Sequence, residues 1–241
     1  MDAGWCWRIE HPDWVNRGYV YSSAFISDDD ADRELRTRNP LIGPTRIVKF
    51  TSGRFTRCWV KNVVAIGNAG GFVEPLEATS LAVIATRCML LSELLVDADC
   101  MAGPPMHRLF NDNTASICDS VRDFLALHYR FNTRINTPFW QHCRADTDLA
   151  NATPVVEYYE HAGPSPSMVA GFLSRVAAFD ANSYLTILTG QQAPTHYTYR
   201  PTAPELGIWH NWCRANAAAA QSAATTEQSL AILAGGRQLS A

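Results

Sequence analysis

Residues Val63 to Ser80, reading VVAIGNAGGFVEPLEATS, restrict the fold of this chain more than any other stretch. A short β-branched and apolar run ends in Gly-Asn-Ala-Gly-Gly, passes through Phe-Val-Glu-Pro, and opens an alanine- and leucine-rich segment whose spacing is helical to about Val96. The predicted order is strand, tight glycine turn, helix. Glycines in that position let the backbone approach a ligand, and the first N–H groups of the following helix are open to an anion. Glu74 and Glu77 lie in the same turn. Taken alone, the turn fits ordinary α/β packing as well as a cofactor contact, because no Gly-x-Gly-x-x-Gly for a pyrophosphate occurs in the chain.

The flanking residues divide the sequence. Before the turn, Trp5-Cys6-Trp7-Arg8-Ile9 alternates with a period of two, and Gly18 to Ser22 and Arg46 to Phe50 read as further strands around a charge-rich helix from Asp28 to Arg38. Phe55 to Val60 offers another pairing partner. After the turn, apolar residues recur three and four apart over Leu81 to Val96, Met106 to Phe131 and Ser167 to Phe179, and a last alanine-rich helix is predicted from Pro204 to Leu233. Gly163-Pro164-Ser165-Pro166 and the loop from Pro194 to Pro204 break these helices, and the tail from Gly235 to Ala241 is expected to fray. Residues 1–77 therefore read as sheet-rich and 78–241 as helical.

At 241 residues and 47% apolar composition the chain supports one substantial core or two small ones. A formal charge of −3 with no basic stripe argues against a nucleic-acid binder. No apolar run approaches the length of a bilayer span, and the N-terminus lacks a basic and apolar leader pattern, so neither membrane insertion nor secretion is expected. Seven scattered cysteines without a Cys-x-x-Cys fit reduced thiols in a cytoplasmic protein, and no metal site is expected.

Glu74 and Glu77 have Phe72, Val73, Pro75 and Leu76 as neighbours. A carboxylate held among apolar groups gains proton affinity, which suits it to take or polarise a proton. Acidic residues are also favoured in the first turn of any helix by its dipole, so spacing leaves both readings open. Thr79 and Ser80 are small enough to leave backbone N–H groups accessible to an anion. Trp5 and Trp7, two apart on a strand, share a face, where they form either core or a wall.

In order along the chain, Gly-Trp-Cys-Trp-Arg-Ile, Gly18-Tyr-Val-Tyr-Ser-Ser, Phe50 to Arg54 (FTSGR), Trp59-x-x-Asn62-Val-Val-Ala-Ile-Gly-Asn and Phe72-Val-Glu-Pro-Leu-Glu-Ala-Thr-Ser-Leu resemble the C-terminal half of the flavin-dependent tryptophan halogenases. His128-Tyr129 and Thr137-Pro-Phe-Trp140 extend the likeness, which runs from Gly4 to about Trp140 and thins beyond.

The resemblance implies the C-terminal portion of a flavin-monooxygenase-like α/β fold, α+β as it stands here: a partial mixed sheet that contacts FAD over residues 1–77, then a helical substrate region over 78–241. It implies halogenation of tryptophan, indole or a related aromatic by reduced FAD, oxygen and chloride or bromide, with a separate flavin reductase as partner. Glu77 matches the carboxylate beside the arene, Thr79 and Ser80 the halide site, Ile66, Gly67, Asn68 and Leu81 the segment touching FAD. Trp5 and Trp7 match the wall that keeps the aromatic substrate from the flavin, which argues against the alternative of direct hydroxylation. Several positions depart from the family. Glu10 stands where proline is usual, Ser80 where glycine is frequent, and Tyr158-Tyr159-Glu160 lacks the Phe-Trp pair that grips free tryptophan. The pyrophosphate fingerprint and catalytic lysine belong to an N-terminal half, and Lys49 and Lys61 lie outside that lysine motif. The expectation is an incomplete reading frame, or one whose start lies too late, with a half-built FAD site; an inactive fragment is the alternative.

Overall fold

The computed structural model describes residues 1–236. They fall into two compact units, Met1–Thr45 with the described residues from Thr198 onward, and Arg46–Tyr197.

The first unit begins with β1 (Gly4–Glu10) and β2 (Val15–Tyr21), paired antiparallel from Gly4↔Tyr21 to Glu10↔Val15. Trp7 lies opposite Gly18, and a Cβ built on Gly18 would fall 1.8 Å from the indole ring. Only glycine lets that tryptophan lie across the neighbouring strand. The His11 and Trp14 rings stack at 4.0 Å across the turn. α1 (Asp28–Arg38) starts on Ser27, whose hydroxyl accepts from the Asp30 N–H. Asp28, Asp29 and Asp30 open it and Arg36 and Arg38 close it, matching the helix dipole at both ends.

The predicted strand at Arg46 to Phe50 does not form. Ile47, Val48 and Phe50 are exposed, and among the described residues no strand pairs with this segment. Strand propensity has no ladder there to act on. In the second unit β3 (Gly53–Arg54) pairs with β6 (Gly71–Phe72), and β4 (Trp59–Val60) with β5 (Val63–Val64), both antiparallel. The sheet portion is thus a set of antiparallel two-stranded ladders in an otherwise helical chain. The Asn111 side chain stands in for a missing strand edge: its Oδ1 accepts from the Cys58 and Trp59 N–H groups at 2.7 and 2.8 Å, and its Nδ2 donates to the Trp59 carbonyl at 3.0 Å.

The predicted helices follow as α2 (Ser80–Asp97) and α3 (Pro104–Arg130). α4 (Pro138–Asp146) and α5 (Thr153–Ala162) come next, then α6 (Pro166–Ala170) and α7 (Ala181–Gly190). The helix expected over Ser167 to Phe179 stops at Ala170. Phe179 instead stacks on Phe124 at 3.8 Å, and the Ala178 N–H bonds the Ser120 hydroxyl, so contacts to α3 override the local periodicity. The core of the unit is built on α3: Phe124 and Leu127 meet Val155, Val169, Tyr184 and Leu188. A smaller cluster of Cys58, Trp59, Leu94 and Phe110 seats the strands on α2 and α3.

The last predicted helix is two, α8 (Ala203–Ser222) and α9 (Thr226–Gly236). Thr225 and Gln228 exchange side-chain and backbone bonds that restart the helix as a reciprocal cap. The fray expected from Gly235 onward falls, beyond 236, outside the described residues.

One stretch bears on the expectation about apolar runs. Leu76–Asp97 is long enough, and at a mean hydropathy of 1.6 apolar enough, to cross a membrane by length and composition. Arg87 and Glu93 interrupt the run in the sequence without lowering the helix's mean below that of a span. Arg87, at its middle, is buried and bonded to Cys118 on α3.

Candidate functional site

The path from β6 into α2 is tighter than a strand–turn–helix pattern suggests. Leu76–Ala78 forms a 3-10 turn in which Glu77 (φ 64°) and Ala78 (φ 50°) both take the left-handed conformation. For L-residues this costs about 1–2 kcal/mol each, and two in succession are uncommon without a structural reason. The Ala78 N–H bonds the Pro75 carbonyl at 3.0 Å, and the reversed backbone starts α2 at Ser80.

The two carboxylates have different partners on α3. Tyr129 donates its hydroxyl to Glu74 Oε2 at 2.6 Å, and the Tyr129 ring stacks on Trp140 at 5.7 Å. Glu77 Oε1 accepts from His128 Nε2 at 2.9 Å, and the imidazole stands edge-on to Phe124 with its Nδ1 3.3 Å from that residue's carbonyl. The Glu77 side chain is 36% exposed and that of His128 15%. Glu74 is half-buried and held by Tyr129, while Glu77 is anchored at one end and faces solvent at the other.

A cavity of about 40 Å³ opens beside the N-terminus of α2. Gly67, Asn68, Thr79 and Ser80 line it together with Glu74, Arg87 and Cys118. That volume exceeds the ~10–15 Å³ needed for one water, so it admits a small ion. Thr79, the N-cap of α2, makes no side-chain capping bond. Four of the residues expected to hold halide or cofactor thus converge, and Ile66, Glu77 and Leu81 lie outside the cavity lining. Ile66 packs against the Trp59 cluster, whereas Leu81 is 79% exposed. Trp5 and Trp7 lie in the other unit, rings 6.0 Å apart on one face of β1.

Arg87 is 1% exposed. Its Nη2 meets Cys118 Sγ at 2.6 Å, while Nε and Nη1 have no hydrogen-bond partner among the described residues. Gly70 makes room for it, since a Cβ there would sit 3.1 Å from Nη1. Guanidinium stays charged, and withdrawing it from water without a carboxylate costs on the order of several kcal/mol. Cys58 is close enough to feel the charge, but burial outweighs Arg87 and pushes that thiol up, so it offers no thiolate at neutral pH. Sequence reasoning missed Arg87 and gave His128, named only as part of the resemblance, no role. The first had a signal: it is the one basic residue in the apolar helix Ser80–Asp97. The pairing of residues 77 and 128, distant in sequence, had none.

Residues 1–204 match the profile of the tryptophan halogenase family. Tryptophan 7-halogenase RebH of Lentzea aerocolonigenes is 35% identical over 160 residues, 65% of this chain and 29% of that protein. Among solved structures, MibH, a lathipeptide tryptophan 5-halogenase, is 36% identical with a TM-score of 0.81, covering 96% of this chain and 44% of that one. BrvH, a flavin-dependent halogenase from Brevundimonas sp. BAL3, is 33% identical with a TM-score of 0.81, covering 98% of this chain and 47% of that one. The chain thus spans less than half the length of these relatives.

Proposed function

The chain belongs to the tryptophan halogenase family, and from that membership we propose that it supplies the halide- and base-bearing part of an enzyme that chlorinates or brominates tryptophan, indole or a related aromatic. The observation that carries this reading is the meeting of Gly67, Asn68, Thr79 and Ser80 on one ion-sized cavity, a short step along the backbone from a carboxylate held by a histidine. Residues 1–77 make the flavin-contacting part and 78–241 the substrate side.

The fit to cofactor is partial. Small residues at Gly67 and Asn68 leave backbone open at the cavity, so with Ile66 they suit the edge of FAD; no residue here forms a pyrophosphate cradle. When bound, reduced FAD supplies with oxygen the oxidation that turns halide into an electrophile, and a separate reductase returns the flavin to its reduced form.

The chain's own residues do the rest. Backbone N–H groups at Thr79 and Ser80 hold the halide, helped by the positive end of α2. As the electrophile bonds to the arene the ring becomes cationic. Glu77 stabilises that charge and takes the proton from the halogenated carbon, which restores aromaticity. The His128 N–H fixes one carboxylate oxygen and leaves the other for the substrate. Trp5 and Trp7 form the wall that keeps arene from flavin. The enzyme is soluble and cytoplasmic, consistent with reduced cysteines.

The test is product mass from an enzyme carrying this chain, assayed with an indole, reduced FAD and oxygen, with and without bromide. Brominated product that disappears in Glu77→Gln, with FAD binding retained, is the expected result. Hydroxylated product independent of bromide would overturn the reading.

A further inference from the structure

We infer that His128 is held as a doubly protonated imidazolium and acts through Glu77 as a positioning residue, keeping that carboxylate ionised at the start of each turnover. The charge of His128 rests on the geometry; its part in the reaction rests on the function proposed above. Both ring nitrogens face oxygen acceptors: Nε2 lies 2.9 Å from Glu77 Oε1, and Nδ1 lies 3.3 Å from the Phe124 carbonyl. A neutral imidazole has a single N–H, so it would set a lone pair against one of those oxygens. A second proton satisfies both and places a cation against a carboxylate. The Phe124 ring packs edge-on against the imidazole at 5.2 Å, and little of the side chain reaches water that could replace either acceptor.

Glu77 is the one ionised group bonded to His128 among the described residues. The other charges along this stretch are engaged elsewhere. On α3, Asp123 is bound to Arg122 and Asn151, and Arg130 donates to the Ala145 carbonyl. Glu74 accepts from Tyr129, and Arg144 on α4 donates to the Asn132 and Ile135 carbonyls. Tyr184 on α7, whose ring meets Phe124, keeps its proton because burial pushes its hydroxyl up.

In the reaction the ring C–H bond breaks, its electron pair returns to the ring, and the proton goes to Glu77 Oε2, the oxygen that His128 leaves free. An acid beside an imidazolium gives up that proton readily, and the exposed side of Glu77 lets water take it, which resets the base. His128 keeps both protons throughout. Without the cation, a carboxylate among Phe72, Val73, Pro75 and Leu76 would hold a proton to higher pH.

The ring nitrogens of His128 can be read in the full chain by long-range 1H–15N correlation, assigned through the residue's own Cβ. The measurement belongs at about pH 7.5, where an exposed imidazole is mostly neutral. Two protonated nitrogens are expected; one unprotonated nitrogen overturns the proposal and needs no variant to be seen. In Glu77→Gln the second proton should be lost at the same pH, and its retention would mean that Glu77 is not the counter-ion. In an enzyme carrying this chain, His128→Gln keeps a neutral donor, so halogenation at neutral pH should drop by about ten-fold, less than on loss of the base itself. The acid-side fall of kcat should move to higher pH in that variant, because the charge that kept Glu77 ionised is gone. An acid limb that stays where it was makes His128 structural and overturns the positioning role. An imidazolium at His128 in an enzyme that leaves indoles unhalogenated keeps the ion pair and removes the reaction. Halogenation with a neutral His128 does the reverse.

Discussion

The two longest helices of the Arg46–Tyr197 unit bury themselves in opposite ways. α3 carries histidines, arginines and aspartates, yet it buries Phe110, Ile117, Val121, Phe124, Leu125 and Leu127 along one side. α2 is the more apolar helix, and it leaves Leu81, Met89 and Val96 exposed while burying Leu94 and an arginine. Burial follows the partner surface rather than composition. α3 is amphipathic and surrounded, so it is the scaffold; α2 packs along a narrow stripe, and its N-terminal turn carries the site. Substitutions near the start of α2 should therefore act on chemistry and those inside α3 on stability.

The contrast breaks first at Glu77. In an enzyme carrying this chain, Glu77→Gln should lower halogenation by about a hundred- to ten-thousand-fold with an unchanged denaturation midpoint, measured by product formation and calorimetry. Equal loss of both would make the turn part of the scaffold. Next comes Leu127, 0% exposed on α3, where Leu127→Ala should cost about 2–5 kcal/mol in urea titration. A smaller and opposite change is expected at the strained turn: Ala78→Gly should stabilise by about 0.5–1 kcal/mol, since its φ of 50° suits glycine. The smallest effect tests the open face of α2, where Leu81→Gln should stay within about 0.5 kcal/mol. Iodoacetamide followed by peptide mass mapping sharpens the same point through thiols. Cys88 on α2 is exposed and should react, whereas Cys118 on α3 and Cys143, whose thiol burial pushes up to about 11, should be spared at pH 8. Cys88 is spared as well if α2 is covered.

Much of the architecture could be read from pattern. The Trp-x-Trp strand, the helix at Asp28 to Arg38 and the long helices after the turn appear where period and capping residues placed them. The strand at Arg46 to Phe50 and the long helix at Ser167 to Phe179 failed for the same reason. Each had suitable local residues, but the first found no ladder and the second lost Phe179 to the aromatic face of Phe124. Of the site, Gly67, Asn68, Thr79 and Ser80 could be named together because all four fall in the one stretch from Val63 to Ser80. Glu77 and Glu74 could be named, but their difference could not.

By itself, then, the sequence determined the local elements and the string from Val63 to Ser80, because turns, caps and periodicity depend on residues a few positions apart. The tertiary structure alone decided which carboxylate is anchored by Tyr129 and which by His128, and that the lone arginine of α2 turns inward to Cys118. Those contacts join residues about fifty positions or a helix apart. Their energies depend on the burial and distance that only the folded chain supplies.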